Sequence, residues 1–165
     1  MLSQLTQRQF AWFGVLLSLM AAMAVYANTL DGEFVWDDAS SILLHRHVQD
    51  PGKFGQLFKE NQHAFAAPQE RIGAEPGAAP ERGRFYRPLL SVTFMLDFLL
   101  SHGPVPMDPA REFRVPDVSP LLFHVSNILW HAAAAVLLFL LFLAMRAPRL
   151  VALAATLIYV VHPLH

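Results

Sequence analysis

Three groups of residues have the types and spacing to do chemistry. The first is Phe34-Val35-Trp36-Asp37-Asp38, in which two adjacent carboxylates stand beside aromatic side chains. Neighbouring carboxylates repel one another, and one of such a pair is suited to act as a general base. The same string is also an ordinary way to start a helix, with Asp38 as the N-cap of Ala39-Ser40-Ser41-Ile42. The second group is Arg84-Phe85-Tyr86-Arg87-Pro88, two guanidinium groups and a phenol placed just before an apolar segment. Arginine suits bidentate phosphate contact, and a helix N-terminus adds a favourable dipole for an anion. Anchoring of lipid headgroups by Arg and Tyr is the plainer alternative.

The third group is His124, Asn127 and His131, spaced i, i+3, i+7 on one helical face, with His162 and His165 returning near the end of the chain. Polar groups inside a membrane face a bundle interior or a wet cavity, so these five are candidates to line one; hydrogen bonding between helices is the alternative. His162-Pro163-Leu164-His165 lacks the i, i+4 spacing of a helical zinc pair, so no metal site is expected. No cofactor is expected, and nothing in the residues supports a divalent cation. The chain has no cysteine, no Gly-rich phosphate loop and no nucleophile elbow.

The elements that must hold these residues follow from how charge is distributed. Of 165 residues, 55% are apolar and only 15% charged. All 13 acidic and 9 of the 12 basic residues fall between Asp31 and Asp117, leaving uncharged runs on either side. That segregation is the pattern of an integral membrane protein. A formal net charge of −1 leaves no basic surface for a nucleic-acid backbone. Residues 9–30 form a first span: 22 residues at about 1.5 Å each reach roughly 33 Å. A second span is expected over 118–145 and a third over 150–165, joined by a turn at 146–149. Arg8, Arg146 and Arg149 flank the spans at ends that should face the cytoplasm, which puts residues 1–8 inside and 31–117 outside as a long extracytoplasmic loop. A cleaved signal peptide over 1–27 is a competing reading.

Within the outer loop, residues 66–84 have the Ala, Pro, Gly and charge content of a flexible stretch. Pro88 suits the first turn of a helix over 88–100, whose roughly 20 Å is short for a span. It is therefore expected to lie on the outer membrane surface.

Four stretches carry a family resemblance: Tyr26-x-Asn28-x-Leu30-x-Gly32-x-Phe34-Val35-x-Asp37-Asp38 with Ile42; Tyr86-Arg87-Pro88-Leu89 with Thr93-Phe94; Phe123-His124-x-x-Asn127 with His131; and His162-Pro163-Leu164-His165. In this order the chain resembles the amino-terminal part of multi-span GT-C glycosyltransferases, and among them the TMTC-type proteins, which join a membrane half to tetratricopeptide (TPR) repeats. The resemblance implies an all-α integral membrane fold: a multi-span GT-C-like helical bundle whose large first outer loop carries a surface helix. It also implies transfer of a mannose-like sugar from a polyprenyl-phosphate donor to a protein hydroxyl or similar acceptor, in the bacterial inner membrane or the endoplasmic reticulum. Inverting transfer needs a base for the acceptor proton and a cation for the departing phosphate. On that reading Asp37 is the base, Asp38 orients acceptor or sugar, and Arg87, with Tyr86 and Arg84, meets the phosphate. His124, Asn127, His131, His162 and His165 line the cavity. Because the family's proteins are several times longer, the chain is expected to be a fragment and inactive alone. The alternatives are a non-enzymatic membrane scaffold or assembly subunit, whose polar residues only join helices, and a His-lined transporter.

Overall fold

In the computed structural model, which describes residues 6–62, 85–105 and 115–162, every regular element is helical. Two helices, over Gln7–Thr29 and Leu121–Ala144, are long and apolar enough to cross a membrane. The chain divides into two compact units, residues 1–31 with 124–165, and residues 32–123.

The first unit packs three helices. Helix α1 (Gln7–Tyr26) opens with a capping box: Thr6 Oγ1 accepts from the Gln9 amide at 3.3 Å, and Gln9 Oε1 accepts from the Thr6 amide at 3.0 Å. Its buried residues, Phe10, Gly14, Ser18 and Ala22, recur every fourth position and so form one stripe. Small side chains let helices approach closely where lipid supplies no hydrophobic drive between them. Gly14 is needed for that approach, because a Cβ there would overlap the Cζ edge of the Phe139 ring. The hydroxyls on these faces bond within their own helices, Ser18 to the Gly14 carbonyl at 2.8 Å and Thr156 to the Ala152 carbonyl at 2.9 Å.

Helix α4 (Leu121–Ala144) begins three residues later than expected, and the reason is local. Ser119 Oγ accepts from the Leu121 amide at 3.4 Å and Pro120 fits a first helical position, so the helix starts there. It ends in a Schellman motif: the Ala147 amide bonds the Phe142 carbonyl and the Arg146 amide the Leu143 carbonyl, both at 3.0 Å, with Arg146 at φ 59°. Pro148 stops the helix, and α5 (Arg149–Val161) follows. At 13 residues, about 20 Å, α5 is shorter than the span expected over 150–165. His162 is already extended (φ −72°, ψ 129°), as Pro163 after it requires.

The second unit shows that much of the polar middle is packed structure. Ile42, Val48, Leu57, Met95, Phe98, Val118 and Phe123 form its core. A π-turn (Ala39–Leu43) and the short α2 (Arg46–Gln49) pack against α3 (Pro88–Ser101), and a 3₁₀ turn (Pro51–Gln56) packs on α2. Gln49 secures the π-turn by donating from Nε2 to the carbonyls of Ile42 (3.0 Å) and Leu43 (2.8 Å), groups that the turn's end would otherwise leave unpaired. Helix α3 buries Ser91, Met95 and Phe98 and exposes Leu89, Leu96 and Leu100 along one face. The expected flexible stretch at 66–84 lies outside the described residues.

Candidate functional site

The Asp37-Asp38 pair sits on a turn whose shape divides the two carboxylates between different tasks. Asp38 Oδ2 accepts from the Val35 amide at 2.9 Å, while the Asp38 amide donates to the Val35 carbonyl at 3.0 Å. The side chain therefore reaches back to close the turn and does not cap the π-turn that follows. Asp37 is exposed, and its carboxylate makes no hydrogen bond among the described residues. Its carbonyl accepts from Ser40 Oγ at 3.1 Å, which fixes the backbone beneath it.

Trp36, at the crest, takes φ 48° and is 92% exposed. For a bulky L-residue the left-handed region costs about 1–2 kcal/mol, and such strain gathers at functional sites. Phe34, two residues earlier, points the other way and packs edge-on to Phe123 at 5.2 Å. The turn is thus anchored by one aromatic side chain and presents the other.

Arg87 stands exposed at the start of α3, its carbonyl accepting from the Ser91 amide at 3.1 Å. The preceding residues are tied down: the Tyr86 hydroxyl donates to the Phe58 carbonyl at 2.9 Å, and the Phe85 carbonyl accepts from the Gln62 amide at 3.0 Å. In this structure the Tyr86 phenol is a tether. Arg84 lies outside the described residues, as does His165.

Gln62 joins the two candidate segments. It is 7% exposed, and its Nε2 donates to Ser41 Oγ at 3.2 Å while its backbone holds Phe85. Gln62 thereby links the π-turn that follows the carboxylate pair to Phe85, two residues before Arg87. Asp37 and Arg87 form no ion pair with each other. Sequence reading missed Gln62, since an isolated Gln in a polar stretch carries no signal. It also missed a neighbouring cluster: His47 Nδ1 lies 2.7 Å from both oxygens of Glu60, and His45, fully buried, has Nε2 3.9 Å from the same carboxylate. The one available signal was a His-x-His pair in a segment otherwise rich in apolar residues.

In the first unit, His131 is held by three helices. Its Nε2 lies 3.2 Å from the Val160 carbonyl of α5, its ring stacks on Tyr159 at 5.2 Å, and Tyr26 of α1 meets it edge-on at 4.8 Å. A carbonyl can only accept, so Nε2 carries the proton. That arrangement fits the helix-joining alternative for His131 better than a cavity lining. His124 is half-buried, and Asn127 and His162 are exposed; the His162 amide bonds the Tyr159 carbonyl at 3.3 Å. Among the described residues no group of three or more His, Cys, Asp or Glu side chains is arranged to hold a metal ion, the His45, His47 and Glu60 cluster included.

No protein-family model matches the chain, and no solved structure matches it. Curated proteins do. The chain is 28% identical over 158 residues to the protein O-mannosyl-transferase TMTC4 of Mus musculus, covering 87% of this chain and 18% of that protein. It is 27% identical over 151 residues to TMTC3 of the same species, covering 92% and 14%. It is 26% identical over 144 residues to Tmtc1 of Drosophila melanogaster, covering 87% and 14%. The chain thus spans less than a fifth of the length of each of these relatives. Along most of its own length, this chain is similar to one stretch of the TMTC protein O-mannosyl-transferases.

Proposed function

We propose that the chain supplies the carboxylate and the phosphate-binding arginine of a membrane glycosyltransferase of multi-span, GT-C-like architecture. The enzyme moves a mannose-like sugar from a polyprenyl-phosphate donor to a protein hydroxyl on the extracytoplasmic face. The observation that carries this reading is the division of labour at the turn: Asp38 is bound to Val35, which leaves Asp37 exposed as the base. Asp37 takes the proton of the acceptor hydroxyl while that oxygen attacks the anomeric carbon from the side opposite the phosphate. The bond from the anomeric carbon to the phosphate oxygen breaks, the phosphate leaves with the electron pair, and Arg87 balances its charge. Configuration inverts.

Topology supports the same reading. Arg149 lies with its guanidinium 5.7 Å from the Phe10 ring, which gathers the basic turn at the end of the first unit where Arg8 stands in the first turn of α1. Basic residues collected at one end of a helical bundle mark the cytoplasmic side, so α1 enters from the cytoplasm and the loop over 31–117 follows it outside. Leu89, Leu96 and Leu100 on one exposed face of α3 suit a helix resting on the outer leaflet. The names of the relatives supply mannose as the sugar and protein as the acceptor. The test is Asp37→Asn in the full-length protein. Sugar transfer should fall by about 10²-fold or more with expression and membrane insertion intact; an unimpaired variant would overturn the assignment.

A further inference from the structure

We infer that Trp36 is a stacking platform for a pyranose ring, seated beside Asp37 so that the indole face and the carboxylate grip one sugar. The inference rests on the glycosyltransferase reading above and adds what the turn recognises.

Three observations carry it. Trp36 is 92% exposed at φ 48°, so its backbone strain is not offset by burial. Phe34, on the same turn, shows that an aromatic side chain can be taken into the core from here. The paired hydrogen bonds between Val35 and Asp38 hold the backbone at the crest, so the ring is displayed from a fixed seat. The residue that follows is the exposed Asp37.

The chemistry of that pair selects the ligand. An indole face carries the negative side of its quadrupole and attracts polarised C–H groups, which a pyranose presents on one face. Its hydroxyls donate to an adjacent carboxylate. Charge argues against the other familiar use of an exposed Trp, insertion among lipid headgroups. Asp31, Glu33, Asp37 and Asp38 are acidic, and no Lys or Arg intervenes before Arg46. Such a segment is repelled by anionic lipid and compatible with a neutral polyhydroxy ring.

The experiment uses the full-length protein in nanodiscs with Trp12 and Trp130 changed to Phe, so that Trp36 is the emitter within this segment. The probes are a short-chain polyprenyl-phosphate mannose, a mannosylated peptide, the bare polyprenyl phosphate and sugar-free phosphatidylcholine vesicles. A sugar-bearing probe should shift Trp36 emission while the bare carrier and the vesicles do not. Response to the lipid-linked sugar places the platform on the donor side, and response to the peptide alone places it on the acceptor side; either upholds the pyranose contact. Measured by a label outside this segment, affinity for the responding probe should fall roughly tenfold in Trp36→Leu and only about twofold in Trp36→Phe. Trp36→Gly should lose affinity yet melt at a higher temperature, because glycine relieves the left-handed backbone.

The inference is overturned if the bare carrier or the vesicles give the same emission shift, if Trp36→Leu binds as tightly as the parent, or if Trp36→Gly melts lower. Binding is read without turnover, so the two readings fail separately. Unchanged binding in Trp36→Leu with transfer lost in Asp37→Asn defeats the platform alone. Weakened binding with transfer retained in Asp37→Asn defeats the proposed base alone.

Discussion

Asp38 and Val35 exchange two hydrogen bonds, the Val35 amide donating to the Asp38 carboxylate at 2.9 Å and the Asp38 amide donating to the Val35 carbonyl at 3.0 Å, and this exchange sets the geometry of the turn carrying Trp36 and Asp37. Asp38→Ala removes the acceptor for the Val35 amide and should destabilise the second unit by about 1 kcal/mol, read as a lower melting temperature. Asp38→Asn retains an oxygen in the same place and should melt close to the parent and keep most of its sugar transfer. Equal loss of transfer in Asp38→Asn and Asp37→Asn would instead make both carboxylates chemical participants.

Gly14 and Phe139 occupy one space. Gly14→Ala should lower stability by about 1–3 kcal/mol through overpacking, since its Cβ would overlap the edge of the Phe139 ring. Combining it with Phe139→Ala should recover part of that loss, so the double variant is more stable than the sum of the single effects. Thermal melts of the four proteins in detergent check this. Strict additivity would mean that the two residues do not meet.

His131 reports on helix joining. Replacement by Leu removes the bond to the Val160 carbonyl and the stacking on Tyr159. Interhelical polar contacts of this kind are worth about 0.6 kcal/mol on average and up to about 1.7. His131→Leu should therefore melt earlier but, once folded, transfer sugar at close to the parental rate. Transfer lost at an unchanged melting temperature would return His131 to the cavity.

Arg146 holds a backbone conformation that favours glycine, φ 59° at the end of α4. Arg146→Gly should raise stability by about 1 kcal/mol, and Arg146→Val should lower it, because a β-branched side chain fits this region worst. Melting temperatures of the two variants, moving in opposite directions from the parent, are the check.

What could be read from the sequence was whatever depends on long runs or local rules. The apolar runs at 9–30 and 118–145 pointed to helices because more than about 20 uncharged residues leave few alternatives, and the structure has them over Gln7–Tyr26 and Leu121–Ala144. Pro88 marked the first position of α3 for a reason confined to its own ring, and the charges of Arg146 and Arg149 between two apolar runs marked the turn at 146–149. The task of Asp38 was not legible, because an N-cap and a backward-reaching turn closure use the same residue and differ only in backbone angles. Gln62 was invisible for another reason: it acts by touching Ser41, 21 residues before it in the chain, and Phe85, far after it, and no spacing rule links them. The core of the second unit was hidden likewise, since Ile42, Leu57 and Phe98 meet only after the chain has folded back on itself.

Asp37→Asn in the full-length protein, assayed with a polyprenyl-phosphate mannose donor and a hydroxyl-bearing peptide, isolates the base from everything that positions it. The side chain is exposed and makes no hydrogen bond among the described residues, so the substitution should leave melting temperature and membrane insertion unchanged. Transfer should fall about 10²-fold or more. Transfer at the parental rate by a correctly inserted Asp37→Asn protein would contradict the assignment of Asp37 as the base.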